Sequence, residues 1–232
     1  MWIRSRFSQF ICAFTACGFS FVLLVGFGTA SFAQITKQKP DQTRVNPEPP
    51  PIVEFPQASR ATVPRQIVSR LEVSGQRVVL EETELTAMQK RFGGSIGHRG
   101  DAGDALSWLC FCGSDEKGDW VLWLMSSEID GGSVGGFRWQ RVDRMAQLAS
   151  CPRLSGGKAG VDLPISLRLG MSASDALLIL GKPSERLGQQ LFYLHEHERK
   201  IHDQPFTAMN TLFIQIREGV VWAIEVWKST TS

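Results

Sequence analysis

The chain of 232 residues carries 25 Lys and Arg against 23 Asp and Glu, a formal net charge of +2, and 43% of it is hydrophobic. Its length admits one or two domains. So even a charge balance excludes a nucleic-acid binder, which needs a concentrated basic face to neutralise phosphates.

Met1 to Ala33 reads as a secretory signal. Arg4 and Arg6 give a basic start, Phe10 to Phe27 is almost wholly apolar, and Ser31-Phe32-Ala33 sets small residues where a signal peptidase reads them. Cleavage after Ala33 makes Gln34 the first mature residue and leaves Lys plus Arg level with Asp plus Glu at 23. The competing expectation is an uncleaved membrane anchor, since Phe10 to Ala33 is long enough to span a bilayer. The expected location is periplasmic or secreted, with membrane anchoring as the alternative. Residues 34–66 hold seven of the 11 prolines and few apolar residues. They read as a semi-rigid tether with no core of its own.

A first folded unit is expected over residues 67–150. Arg70 to Leu80 alternates around Ser74-Gly75-Gln76, which predicts a small hairpin. Thr83 is placed to cap a helix through Phe92, with Leu85, Met88 and Phe92 as its buried stripe and Gly93-Gly94 as its stop. Ala105 to Cys112, Trp120 to Met125 and Gly136 to Val142 mix aromatic and β-branched residues and read as strands of one antiparallel sheet. Val142 to Ala149 reads as a linking helix.

A second unit is expected over residues 151–232. Ser172 is placed as an N-cap with Asp175 three residues on, as in a capping box. Ala173, Ala176, Leu177 and Leu180 form the apolar stripe, Gly181 suits a left-handed position after the last turn, and Pro183 stops the helix. Strands follow at Gln190 to His197, Leu212 to Arg217 and Val220 to Lys228, with Glu218-Gly219 as a tight turn between the last two. Placing Gly93 over Gly181 brings the two sets of strands into near register. The expected fold class is therefore α+β: two tandem units, each a short helix or helical pair packed on a small antiparallel sheet.

Gly170-Met171-Ser172, the short helix, Leu180-Gly181-x-Pro183, the strand bearing Tyr193 and the final Val-Val-Trp-Ala-Ile-Glu-Val arm (220–226) carry a resemblance. Over Ile165 to Trp227 the chain is similar to the small outer-membrane assembly lipoproteins of the SmpA/OmlA (BamE) type and to the tandem-repeat β-lactamase inhibitor protein (BLIP) family. The resemblance implies a scaffold with a protein-binding habit, and two units in tandem are closer to the BLIP-like pattern. No cysteine follows the signal to carry a lipid, and the disulfide within each repeat that marks BLIP-like chains is missing.

Of the five cysteines, Cys12 and Cys17 lie in the signal. In an oxidising compartment Cys151 is expected to pair with Cys110 or with Cys112, leaving one thiol over. His195, His197 and His202 are the candidate metal ligands, for zinc or copper, because residues two apart on a strand face one side. Trp108, Tyr193 and Trp227 are the candidate protein-binding residues on a sheet face that the helix leaves open, since Trp and Tyr dominate binding hot spots. No catalytic constellation is present, and no organic cofactor is implied. The expectation is a non-enzymatic exported protein that binds an envelope or secreted protein through its open sheet faces. A role in outer-membrane assembly or envelope maintenance, and metal binding through the histidines, are the alternatives.

Overall fold

The computed structural model describes residues 47–56, 67–101, 103–143, 148–154, 160–201 and 204–231, with the side chains of Arg199 and Ile201 left aside. The expected signal (1–33), the tether residues 34–46 and 57–66, the middle half of the expected linking helix (144–147) and His202 lie outside them.

Turn chemistry sets the local structure. Strands β1 (Arg70–Val73) and β2 (Gln76–Val79) are antiparallel, with Val73 facing Gln76 across Ser74-Gly75. Both turn residues have positive φ, 48° and 79°, which suits the right-handed twist of the flanking strands. A third short strand, β7 (Val161–Asp162), pairs with the far edge of β1. The expected hairpin is therefore part of a small three-stranded sheet.

Helix α1 (Leu85–Phe92) follows, burying Leu85 and Met88. Its N-cap is Glu84 and not Thr83, whose hydroxyl instead accepts the Val79 N–H at 2.9 Å. Helix α2 (Ala173–Leu180) begins as its sequence predicts. Ser172 accepts the Asp175 N–H at 3.1 Å, and the Ser172 hydroxyl donates to the Asp175 carboxylate at 2.7 Å. Gly93 and Gly181 end the two helices at φ 79° and 82°, where a side chain would be strained.

The remaining strands are β3 (Gly97–Arg99), β4 (Leu106–Asp115), β5 (Gly118–Ser127), β6 (Gly136–Arg141), β8 (Glu185–Leu187), β9 (Gln190–Ile201), β10 (Gln204–Arg217) and β11 (Val220–Thr231). They form one antiparallel sheet of eight strands in the order β3-β4-β5-β6-β11-β10-β9-β8. This overturns the α+β expectation of two tandem helix-on-small-sheet units. Of the described residues 51% are strand and 12% helical, and the strands of the two halves are continuous through the β6–β11 ladder, Gly136↔Trp227 to Gln140↔Ala223. The physical reason lies at the edges. Two separate small sheets would each leave a long row of unpaired backbone groups on β6 and β11, and pairing those edges satisfies both.

One face of the sheet carries the main core. Phe111, Leu122, Phe137, Tyr193 and Ile224 pack there with Leu71 and Val78 of the small sheet, Met88 of α1 and Leu180 of α2. The N-cap residue of each helix makes an isolated bridge, Glu84 to Ser133 in the loop before β6 and Ser172 to Val220 at the start of β11. Alternation along β11 breaks at one place. Ile216 pairs with Val221 and Gln215 with Ala223, so Trp222 is bulged out and Val221 turns to the helix-covered face, opposite to the side that strict alternation gives it. Among the described residues no helix is long and apolar enough to cross a membrane.

Candidate functional site

The other face of the large sheet carries the candidate site. Cys110, Trp123, Arg138, Glu225, Phe213 and Phe192 are direct cross-strand partners in succession, one from each of β4, β5, β6, β11, β10 and β9. They form a single row perpendicular to the strands. At its centre Arg138 and Glu225 make an ion pair, Nη1 to Oε2 at 2.8 Å, with side chains only 9% and 3% exposed. The pair is well supplied with further bonds. Arg138 Nε donates to Gln140 Oε1 at 2.7 Å, and Trp227 Nε1 donates to Glu225 Oε1 at 2.9 Å. Phe213 flanks the pair, its ring centroid 6.0 Å from the guanidinium carbon, and Phe192 packs beside it at 5.3 Å between centroids.

Residues Pro47–Pro56 of the proline-rich segment lie across this row. Trp123 Nε1 donates to the Pro47 carbonyl at 3.0 Å, and the Val53 N–H donates to Glu225 Oε1 at 3.2 Å. Phe55 meets Phe192 edge-on, 5.3 Å between centroids with the rings at 83°. Glu48 forms an ion pair with Arg99 of β3. The segment thus spans the sheet from β5 to β9, and what the helices leave bare is covered by the chain's own prolines. At the β4 end the cover is Leu148 with Cys151. Cys110 and Cys151 are disulfide-bonded, 41 residues apart, while Cys112 is a free, buried thiol. Burial pushes the Cys112 thiol above its ordinary value, against a smaller opposing pull from Arg153.

This arrangement corrects the expected open face. Trp108 is 5% exposed, because its indole lies over Gly97 on the neighbouring strand. Tyr193 is 1% exposed and points to the helix-covered side, where its hydroxyl donates to the Gly181 carbonyl at the end of α2. Neither ring is available to a partner. Trp227 is half-buried on the face that the helices leave bare and takes part in the site as a donor to Glu225. Of the candidate metal ligands, His195 and His197 stand side by side on β9 with rings stacked 5.1 Å apart. His202 lies outside the described residues, and among those described no group of three potential ligands is assembled.

The residues that compose the site, Arg138, Glu225, Trp123, Phe213 and Phe192, were not marked by any motif. The usable signal was Arg138 set between Phe137 and Trp139, and Glu225 set within the apolar run Val220 to Trp227, since a charge demands a partner when buried. Comparison with known proteins finds no matching family model, no matching curated protein and no matching solved structure.

Proposed function

We propose that this is an exported, non-enzymatic binding protein of the cell envelope. It engages another envelope protein across the sheet face that bears the row from Trp123 to Phe192. The observation that supports this reading is the nature of that face: aromatic rings flank a single buried ion pair, and an irregular peptide segment lies over its centre. Aromatic and Arg side chains in desolvated settings carry most binding energy at protein interfaces. The signal-like residues 1–33 support export. The resemblance of Ile165 to Trp227 to the BLIP and SmpA/OmlA (BamE) families supports a binding habit, with outer-membrane assembly as its narrower form.

The test is affinity capture from envelope extracts with the full chain, followed by identification of the captured protein and direct measurement with the purified pair. A specific partner whose binding is weakened by Trp227→Ala is the expected result. A chain that captures nothing specific overturns the reading. Zinc or copper binding is a second reading, supported by the paired imidazoles of His195 and His197. Elemental analysis of untagged protein against a His195→Ala/His197→Ala variant decides it, and equal metal content in both ends it.

A further inference from the structure

We infer that the groove along the Trp123-to-Phe192 row is a site for proline-rich peptide. The chain's own residues 47–56 fill it as an internal ligand, and a proline-rich segment of a partner protein takes it over by displacing them. This rests on the binding reading above and names its partner class.

The segment has the chemistry of such a ligand. Pro47, Pro49, Pro50 and Pro51 fix φ and remove four N–H groups, so this run cannot join a strand ladder and is pre-organised as an extended polyproline helix. Its reach also matches the row. Four strand spacings from β5 to β9 come to about 19 Å, and the eight steps from Pro47 to Phe55 cover about 25 Å in that conformation. A pre-extended chain therefore crosses with little slack and little ordering entropy left to lose.

The groove reads both main chain and side chains. An indole N–H takes the carbonyl of the first proline, and a buried carboxylate takes the first N–H used beyond the proline run. An aromatic wall takes one ring, and Arg99 at the rim takes one acid. Indole donors and aromatic walls are how grooves recognise polyproline segments in general. Any chain with the pattern of an acid beside the first proline, a free N–H after the run and an aromatic two residues later satisfies the same contacts. The seated segment is not a core element. Glu48, Pro51, Ile52 and Glu54 are exposed, and its polar and ring contacts reach one sheet face only. A tethered ligand holds its site at an effective concentration in the millimolar range, so it sets a threshold that a competing peptide must exceed.

The experiment uses the full chain with Val53→Pro/Phe55→Ala, which removes the N–H to Glu225 and the ring on Phe192 while leaving the sheet unchanged. The probe is a fluorescein-labelled synthetic peptide of residues 47–56, followed by fluorescence anisotropy. The variant is expected to bind the peptide about tenfold or more tightly than the unaltered chain does, because the internal competitor is weakened. Arg99→Gln in that background is expected to weaken binding by about threefold, as the loss of one exposed ion pair does. Should the double variant fail to fold by circular dichroism, Phe55→Ala alone gives the same comparison. No saturable binding by the folded variant overturns the proposal, as does equal binding of a peptide in which alanine replaces every proline. Binding seen only with dimer formation assigns the groove to a second copy and overturns the separate partner. An envelope partner that the variant captures but the peptide does not displace overturns the proline-rich class while sparing the binding reading. Peptide binding without any captured envelope partner does the reverse.

Discussion

The indole of Trp227 lies flat over Gly136, its direct partner across the β6–β11 ladder, so closely that a Cβ on the glycine would stand 2.4 Å from Cδ2. The same pairing of glycine under tryptophan recurs at Gly97↔Trp108 and Gly113↔Trp120. Three large rings are thus laid down on the sheet by glycines that leave them room. At Gly136 the ring so placed presents its N–H to Glu225.

Gly136→Ala is therefore expected to destabilise the protein by about 1–3 kcal/mol, because the methyl group would meet both the rigid indole and, at 2.7 Å, the Val226 carbonyl oxygen. The cost is steric, since Gly136 is not among the glycines of positive φ. Urea denaturation checks it. Trp227→Phe in the same background should recover part of the loss by giving the methyl group room, and a Gly136→Ala protein as stable as the parent would refute the packing argument.

Arg138 and Glu225 are each other's main compensation in a water-poor site, with 2.8 Å between Nη1 and Oε2. Removing one partner strands the other, so Glu225→Gln should cost about 3–5 kcal/mol. Arg138→Met/Glu225→Gln should be more stable than Glu225→Gln alone, because the stranded charge is gone. Equilibrium unfolding of the two singles and the double gives the coupling directly. Additive losses would mean that the two side chains act independently.

The contrast between these residues and the rest of the chain explains what the sequence made legible. Hairpin turns and helix ends were readable because their chemistry is local: Ser74-Gly75, Glu218-Gly219, Ser172 with Asp175, and Gly181 each act within a few residues. The single sheet was not, because the pairing of β6 with β11 joins distant segments and either edge would look complete by itself. Exposure misled for a related reason. Trp123 and Glu225 are covered by residues 76 and 172 positions away, and a proline run has no periodicity to announce which face it will cross. Val221 lies on the helix-covered face, against strict alternation, because a bulge at Trp222 shifts the pattern by one.

Cys110–Cys151 joins residues 41 positions apart at the β4 end of the face that the helices leave bare. Cys151→Ser should lower stability by about 2–5 kcal/mol. Cys112, buried and with its thiol pushed up by that burial, should resist alkylation in the native protein and react on unfolding. Peptide mapping after iodoacetamide treatment with and without urea checks both the pairing and the protection. Rapid native labelling of Cys112 would contradict its placement.

Tyr193 is the only tyrosine in the chain, so its ionisation can be followed alone by ultraviolet absorbance. Burial pushes its phenol up to about 12, from an ordinary value of about 10. The neutral form is the one the fold accommodates, since it donates to the Gly181 carbonyl at 3.1 Å. A folded pKa raised above the unfolded one means that this contribution is complete below about pH 10 and is lost as the pH rises through about 12. Native protein should therefore show no tyrosinate band near pH 10, where urea-unfolded protein is half ionised. Tyr193→Phe should remove the band and cost about 1 kcal/mol or somewhat more, because the carbonyl of Gly181, the C-cap of α2, loses its donor. A titration near pH 10 in the folded protein would place the hydroxyl in water and break the link between β9 and the end of α2.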